Sequence, residues 1–581
     1  MTPFMPLLFA LGIHEALVEV SASLQPTEHL FAYLDDIYVV AAPERIRLIF
    51  DLLRECLSRR AGISLNGGKT RIWNRAGICP PGTSDLGPDV WNADGVNILG
   101  TPVGNNSFVK ERIDKRLADE KLLWDQIPSV PDTQCAFQIL AQSAGPRCNH
   151  LLRTLPPSQS AEYARAHDQG MSEVLASLLG RDAGQGLQKH IATMPARSGG
   201  LGLRSAERTA APAFWASWAD ALPMLHARCP RLTQSLIAEL GKHRSPSQLV
   251  QELVAASGKL SAEGFHLLPS WEDLRDGARP ELLELSPEPG EWAHGWQFHA
   301  SSISEDFFRR RVVLPSCSPA QQATVRSQAG PGSATAILGC PTRPEFLLGP
   351  TVFRSLLLSR LQLPLQLTES HCEGCGSALD PTGHHRNACC KSGRLKKRAL
   401  PLERAAARIR REAGATVREN VKLKDLNLVV PAAVLAFGLP CRAGAQLAID
   451  ATFRSPLTAT GAARPQAATQ NAVVTDSARA DKERKYPELP NTHRCQLVVL
   501  ALETGGRFSS ETSSFLEELA FAKAAEAPGP LRKSARLSWQ RRWTRLLACT
   551  AARAWCSALL APAHSLVPPD EHGPAPDWHE A

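Results

Sequence analysis

The chain lacks any run of eighteen or more apolar residues, and this absence predicts that no segment spans a membrane. The apolar stretch at residues 3–12 lacks a positively charged leader, so we do not expect a secreted protein. The chain also lacks a large excess of charge of either sign. Its 65 Lys and Arg residues and 57 Asp and Glu residues give a net charge of +8. A balance this small excludes nucleic-acid binding through a global positive field, and any such binding must use local basic clusters.

Regular cysteine spacing and internal repeats are missing as well. The fifteen cysteines are mostly scattered, which is typical of free thiols in a reducing compartment and predicts a nuclear or cytoplasmic protein. A chain of this length is expected to form roughly three to five domains of about 100 to 200 residues each. The hydrophobic content of 43% is sufficient to build several cores.

Two adjacent carboxylates, Asp35 and Asp36, lie between two short apolar runs within residues 31–40. The pattern predicts a strand–turn–strand hairpin with both acids at its tip. Neighbouring aspartates on a rigid turn suit phosphoryl transfer, because Mg2+ or Mn2+ takes oxygen ligands and a metal pair clamps the attacking and leaving oxygens. A solvated turn is the alternative, since aspartate is a common turn residue.

The segment resembles the catalytic palm hairpin of reverse transcriptases, specifically those of non-LTR retrotransposons. Three further segments are similar to neighbouring palm motifs of that family and follow in its order: residues 5–12, 62–70 and 98–104. The resemblance implies a truncated palm over residues 1–120, an RNA template as partner, and Lys69 near the nucleotide phosphates or as an ordinary surface lysine. The family's fingers and third metal carboxylate lie upstream of the first motif, so we expect this chain alone not to polymerise.

Residues 121–365 carry apolar side chains at three- and four-residue spacing, which predicts helices. The resemblance implies that this region is a helical thumb and connector. Stretches rich in Pro and Ser near residues 268–290 and 314–333 are typical of linkers or long surface loops. We assign no chemistry to this region.

The second constellation contains three cysteines and one histidine: Cys372, Cys375, His385 and Cys389. Each pair is spaced so that two ligands converge from one knuckle turn, and zinc takes four thiolate or imidazole ligands in a tetrahedron. The adjacent His384 and Cys390 are alternative third and fourth ligands, and free thiols on a loop are the alternative to a metal site. We predict a small Zn2+ knuckle over residues 366–395.

A basic segment follows the cysteines, with nine Lys or Arg against one Glu within residues 391–411. A closed zinc unit beside a basic helix favours contact with phosphates, because each cation near a phosphate releases a counterion. A solvated helix face or a nuclear-import signal is the alternative.

Two predicted core strands end in acids, at Asp450 and at Glu503. Acids at the ends of adjacent strands, with a lysine nearby, can hold a metal ion and activate water for phosphodiester cleavage. Lys482 and Lys485 are the lysine candidates. The alternative is that these acids cap helices or pair with arginine.

This order resembles the restriction-enzyme-like endonuclease that follows a cysteine–histidine motif in one branch of non-LTR retrotransposons. The resemblance implies an α/β nuclease core over residues 396–561, with a DNA target as partner and with Glu403 of the basic helix joining the strand acids. The family's lysine usually lies two residues beyond the second strand acid. That position is Gly505 here, so a lysine of a neighbouring helix, such as Lys485, must serve instead.

The last predicted helix, residues 531–560, carries Trp and Leu on one face and several arginines on the other. The pattern is typical of a helix that packs on the nuclease sheet, with nucleic-acid binding by the arginines as a second possibility. Residues 562–581 are rich in Pro, Asp, Glu and His, and we expect a disordered tail.

Together these patterns predict an α+β multidomain protein with a partial palm, a helical thumb and connector, a zinc knuckle and a restriction-like nuclease core. The expected function is that of a fragment of a retrotransposon-encoded RNA-directed DNA polymerase that binds nucleic acid and cleaves it with a metal ion. The alternatives are a non-catalytic nucleic-acid-binding protein, a decayed retroelement product and a host protein built from a captured domain.

Overall fold

The computed structural model describes residues 4–181, 185–242, 245–280, 294–365, 367, 369–421, 433–437, 441–442, 446–487 and 495–560. The described residues form helices and small sheets, which is compatible with the predicted α+β class. The chain divides into two compact units, residues 1–119 and 120–581. The tail expected to be disordered, residues 562–581, lies outside the described residues.

The first unit contains two helices, two hairpins and the start of a third helix. Its elements are α1 (Met5–Ala22), β1 (His29–Tyr33), β2 (Asp36–Val40), α2 (Ile46–Ala61), β3 (Gly95–Ile98), β4 (Thr101–Gly104) and α3 (Asn106–Gln126). Strands β1 and β2 pair antiparallel, as do β3 and β4. The predicted hairpin at residues 31–40 is therefore confirmed.

The core of this unit forms between α1 and α2. Ile13, Ala16 and Val20 recur at helical spacing on α1 and pack against Ile49 and Leu53 of α2. Several other apolar side chains of α1 are exposed. By length and composition α1 is also able to cross a membrane, a property shared by core helices of soluble proteins and by signal sequences. The prediction that the chain has no membrane span therefore stays a prediction.

The second unit begins with a long helical region, so the helices predicted for residues 121–365 are confirmed. They are α4 (Thr133–Ile139), α5 (Asn149–Thr154), α6 (Pro157–Leu179), α7 (Gly186–Thr193), α8 (Ala206–Arg228), α9 (Pro230–Leu240), α10 (Gln248–Ala262), α11 (Trp271–Arg275), α12 (Trp296–Phe308), α13 (Pro319–Ser327), α14 (Thr335–Leu338) and α15 (Pro350–Arg360). Residues 314–333 are not a continuous linker, because they contain α13. Its start is fixed by a capping box in which Ser318 and Gln321 bind each other's backbone N–H groups.

A mixed four-stranded sheet and its helices follow. These elements are α16 (His384–Ala388), α17 (Arg394–Glu412), β5 (Thr416–Val421), β6 (Ala433–Phe437), β7 (Gln446–Arg454), α18 (Val473–Lys485), β8 (Cys495–Glu503), α19 (Ser510–Ala524) and α20 (Arg532–Leu560). The strand order is β5-β6-β7-β8, with β6 antiparallel to both neighbours and β7 parallel to β8. Helix α18 makes the crossover that two parallel strands require. Helix α20 packs on α17 and α19.

One buried arginine joins distant segments of the helical region. Arg360 at the end of α15 donates from Nε to the Gly200 carbonyl at 2.7 Å and from Nη1 to the Ser333 carbonyl at 2.8 Å. Its Nη2 donates to the carbonyls of Gln328 and Ala196. The side chain is 3% exposed, so these carbonyls stand in for water around the guanidinium.

We expect Arg360→Ala to lower the free energy of unfolding by about 3 kcal/mol, because it removes charged donors from four carbonyls around a buried site. Urea unfolding followed by circular dichroism measures the shift. Arg310→Ala is the control, since Arg310 is 62% exposed and pairs with Asp306 at the surface, and we expect a change within about 0.5 kcal/mol. Equal effects of the two substitutions would contradict this role.

Candidate active site and metal centre

The structure brings together the four ligands that the sequence predicts for zinc. The ligand atoms of Cys372, Cys375, His385 and Cys389 all lie within 4.8 Å of one another. Cys389 Sγ is 3.8 Å from both Cys372 Sγ and Cys375 Sγ, and Cys375 Sγ is 3.1 Å from His385 Nε2. Thiolates about 2.3 Å from a tetrahedral zinc stand about 3.8 Å apart. A Cys3His cluster that could bind zinc is therefore present.

Neighbouring residues orient the His385 ring and favour the thiolate form of Cys375. His385 Nδ1 lies 3.0 Å from the Ala459 carbonyl, which leaves Nε2 as the nitrogen that faces the cysteines. Hydrogen bonds from Ser377 lower the pKa of the Cys375 thiol to about 6, so the thiolate that zinc requires is formed at neutral pH. The alternative ligands His384 and Cys390 are not part of the cluster.

A glycine allows the knuckle turn to close against the chain that follows it. A Cβ on Gly374 would lie 2.5 Å from the backbone of Lys391 and Ser392. Gly376 has a φ of 72°, a left-handed conformation that side chains disfavour. These two glycines therefore allow a turn that a residue with a side chain would strain.

Several arginines of the basic helix α17 are buried, whereas the sequence analysis expected a surface that contacts phosphates. Arg394, Arg398 and Arg410 are buried, at 1–2% exposure. Their guanidinium groups bind backbone carbonyls, as Arg398 does at the carbonyl of Phe453 with 2.7 Å. Net charge along the sequence cannot distinguish these internal arginines from the exposed Lys396 on the same helix.

Asp450 lies at the centre of a cluster formed by β7, α17 and α18. Lys482 Nζ is 2.6 Å from Asp450 Oδ1, and the Tyr486 hydroxyl donates to Asp450 Oδ2 at 2.8 Å. Lys485 Nζ is farther away, 3.8 Å from Oδ2. Burial and the Asp450 carboxylate raise the pKa of Tyr486, which keeps its hydroxyl protonated as a donor. The helix thus supplies the lysine, with Lys482 in closer contact than Lys485.

Glu403 of α17 joins this cluster electrostatically. Its pKa is raised, first by burial and then by the negative charge of Asp450, while Lys482 and Lys485 act in the opposite direction. Carboxylate oxygens are the ligands that Mg2+ and Mn2+ prefer, and Mg2+ is commonly held by one or two carboxylates together with water and substrate phosphate. Among the described residues no metal-binding group of three ligands includes Asp450 or Glu403, so a magnesium or manganese ion at this pair stays a prediction.

Glu503 is not brought next to Asp450. Strand β7 continues to Arg454, so Asp450 lies in the middle of the strand and not at its end as predicted. The parallel register pairs Asp450 with Val499 and Arg454 with Glu503, which separates the two acids by about 13 Å along the sheet. Strand β8 nevertheless ends at Glu503, as predicted.

Glu503 lies in a separate buried environment. Its carboxylate is near Ser327, and Glu503 Oε1 is 3.9 Å from Arg507 Nε. Burial is the largest influence and raises its pKa from 4.5 to about 7. The negative charge of Asp476 also raises this pKa, while Ser327 and Arg507 lower it, so Glu503 changes charge near neutral pH.

Asp35 and Asp36 lie where the hairpin pattern places them, at the turn between β1 and β2 with exposed side chains. Leu34 opens this turn with a φ of 55°. Tyr38 of β2 accepts a hydrogen bond from the Leu99 N–H at 3.3 Å, which joins the first hairpin to the second. Within the described ranges, no third Asp, Glu, His or Cys completes a metal-binding group with the two aspartates.

Lys69 is exposed on a turn in which its backbone N–H donates to the Asn66 carbonyl at 3.0 Å. Its proximity to a nucleotide stays a prediction.

Tyr486 is the site residue that the sequence analysis missed. Tyr486 directly follows α18 and lies four residues after Lys482, and this spacing is the signal that the sequence offered.

The purified protein is expected to contain about one zinc ion per chain, measured by inductively coupled plasma mass spectrometry. Cys389→Ser removes a ligand and should lose most of this zinc. The neighbouring Cys390→Ser is the matched control and should retain it, because Cys390 lies outside the cluster. Equal zinc content in both variants would rule out the ligand set.

Glu503 should make the native state less stable as pH rises from 4.5 to about 7, because the folded chain holds the proton more tightly than the unfolded chain in that window. Glu503→Gln removes a penalty on the order of 3 kcal/mol at pH 8. Thermal unfolding should therefore show a higher midpoint than wild type at pH 8 and a smaller difference at pH 5. The exposed Glu517→Gln is the control, and a gain that does not vary with pH would contradict the buried charge.

Comparison with known proteins agrees with a mobile-element origin. No family model matches the chain. Over 182 residues, 30% of the chain, the sequence is 26% identical to the retrotransposable element SLACS 132 kDa protein of Trypanosoma brucei gambiense. The match spans 14% of the length of that relative. This distant similarity supports a retrotransposon-derived protein.

Proposed function

We propose that the chain is a retroelement-derived, metal-dependent endonuclease whose centre is Asp450. The observation that carries the proposal is the convergence of Lys482, Tyr486 and Glu403 on one buried strand aspartate. Buried acids that share a site with a lysine are typical of catalytic clusters. The mixed sheet and flanking helices support the restriction-like core that the sequence resemblance implies.

Each residue of the cluster has a distinct proposed role. Asp450 and Glu403 would hold a divalent cation, and such an ion would supply an activated water and neutralise charge on the phosphate. When DNA binds, the Lys482 ammonium group leaves Asp450 and binds a phosphate oxygen of the substrate. There it stabilises the negative charge that builds up on the phosphate during cleavage. Tyr486 orients the Asp450 carboxylate by donating to Oδ2.

The proposed role of the Cys3His cluster is to position the DNA target. The exposed lysines beside it are Lys391, Lys396 and Lys397, and lysines beside a duplex bind phosphates without reading sequence. Zinc would hold the knuckle rigid and so fix the direction of these lysines. Target choice would then depend on the position of this unit beside the Asp450 cluster.

The geometry does not support polymerisation at Asp35 and Asp36. A polymerase metal pair needs further oxygen ligands beyond two exposed aspartates. Glu19 and Glu28 are already engaged, because Glu19 pairs with two arginines and Glu28 pairs with Arg45 at 2.7 Å. We therefore propose no polymerase activity for this chain by itself.

A second candidate function is non-catalytic nucleic-acid binding. Both carboxylate oxygens of Asp450 are engaged by protein donors, Lys482 and Tyr486. An aspartate satisfied in this way can be purely structural, since a buried carboxylate needs such partners in any case. A measurement of cleavage separates the two functions.

We expect the protein to nick supercoiled DNA with Mg2+ or Mn2+ and not with EDTA, measured by agarose gel electrophoresis. Asp450→Asn should reduce the rate by at least about a hundredfold, and Lys482→Ala by roughly the same factor. Lys485→Ala should have a smaller effect because its contact with Asp450 is longer. The exposed Asp306→Asn is the control and should match wild type.

Binding of the same DNA, measured by mobility shift, completes the experiment. Binding without nicking in wild type and every variant would favour the non-catalytic function. Nicking that survives Asp450→Asn would place the active site elsewhere.

A further inference from the structure

A pocket lined by arginines lies between α20 and residues 342–346. Four guanidinium groups line it, those of Arg343, Arg541, Arg542 and Arg545, and no carboxylate is among the lining residues. Such a surface attracts anions, because the positive charges are close together and their field is concentrated in a concave space. The function proposed above does not use this pocket.

Two of the arginines that line the pocket are held in place by other side chains. Arg542, with its side chain 9% exposed, donates to Glu345 at 2.6 Å and to Glu412 at 2.8 Å. The Arg545 guanidinium lies 4.5 Å from the ring centre of the buried Phe346. These contacts fix both side chains before a ligand arrives, which reduces the entropy lost on binding.

Arg541 differs from its two neighbours on α20. Its side chain is exposed, and within the part of the chain that the structure describes it forms no ion pair. A guanidinium group binds two phosphate oxygens at once through its planar fork of N–H groups. Arg541 is therefore the arginine best placed to take a phosphate at the mouth of the pocket.

An aromatic side chain completes the pocket. The Trp539 ring lies 5.1 Å from the ring of Trp543, with an angle of 35° between the planes. Trp543 is fully buried and donates from Nε1 to Glu412 at 2.9 Å. Trp539 thus rests on a rigid support and lines the pocket beside the arginines, with Lys523 Nζ 6.0 Å from its ring centre. Aromatic rings next to cations are the arrangement on which proteins stack nucleic-acid bases.

We propose that this pocket binds single-stranded nucleic acid, with one base stacked on Trp539 and the adjoining phosphate held by Arg541 and Arg343. A single strand is favoured over a duplex because paired bases are stacked on one another and cannot reach a side-chain ring. An inorganic anion alone would bind the arginines but would make no use of the Trp539 ring. The pocket therefore fits a nucleotide unit with both a base and a phosphate.

The pocket and the Asp450 cluster lie on different sides of α17. Glu412, which holds Arg542, is nine residues beyond Glu403, about 14 Å along the helix and half a turn around it. A strand bound beside α20 therefore does not occupy the cleavage site. A substitution that weakens binding in the pocket beside α20 can therefore leave cleavage at Asp450 unchanged.

Fluorescence anisotropy with a labelled 20-nucleotide single strand, and with the duplex of the same sequence, tests the proposal on the full chain. We expect Trp539→Ala to weaken single-strand binding at least about fivefold, while Trp539→Phe retains most of it. Arg541→Ala should weaken it and lower the slope of log affinity against log salt by about 0.7. Duplex binding and nicking of supercoiled DNA should remain within twofold of wild type.

Arg310→Ala is the matched control, since it removes an exposed arginine just beyond the end of α12 and should leave all affinities unchanged. If Trp539→Ala is misfolded by circular dichroism, Arg541→Ala still tests the proposal, because Arg541 is exposed. Unchanged single-strand binding in Arg541→Ala, or an equal loss for strand and duplex, would overturn it. A protein that nicks DNA normally but fails this test would leave the proposed nuclease intact.

Discussion

Buried guanidinium groups hold the Cys3His cluster in a fixed position relative to the sheet. Each of three arginines reaches a backbone carbonyl of another element: Arg386 binds Leu559 and Glu369, Arg394 binds Ala558 and Glu373, and Arg398 binds Phe453 and Asn387. A charge withdrawn from water needs such partners, so these contacts cannot loosen without a large loss of free energy. The knuckle, α17, α20 and β7 therefore behave as one body.

Helix α17 contacts both proposed sites, the Asp450 cluster and the arginine-lined pocket beside α20. Arg398 on α17 lies 4.8 Å from the Phe453 ring of β7, the strand that carries Asp450. Glu403 on the same helix approaches Asp450, and Glu412 anchors Arg542 and Trp543 of α20. A rigid helix that contacts two sites sets their spacing without any contact between the sites themselves. A nucleic acid bound at one would be held in a fixed direction relative to the other.

Local patterns in the sequence were sufficient for several parts of this fold. The hairpin around Asp35 follows from alternation and turn residues, and the Cys3His set follows from ligand spacing, because both depend on residues close in the chain. The separation of Asp450 from Glu503 could not be predicted, since it depends on the register between strands about fifty residues apart. The burial of Arg394 and Arg398 depends on carbonyls more than fifty residues away in the chain, which no local pattern reveals.

The proposed cleavage depends on a metal ion held by Asp450 beside Lys482. The most direct measurement is a crystal structure with a cleavage-resistant DNA and Mn2+, recorded at a wavelength where manganese scatters anomalously. The account predicts an anomalous peak about 2.2 Å from an Asp450 carboxylate oxygen, with the Lys482 ammonium group moved from Asp450 to a phosphate. Bound DNA with no manganese at Asp450, and with Lys482 still paired to it, would contradict the account.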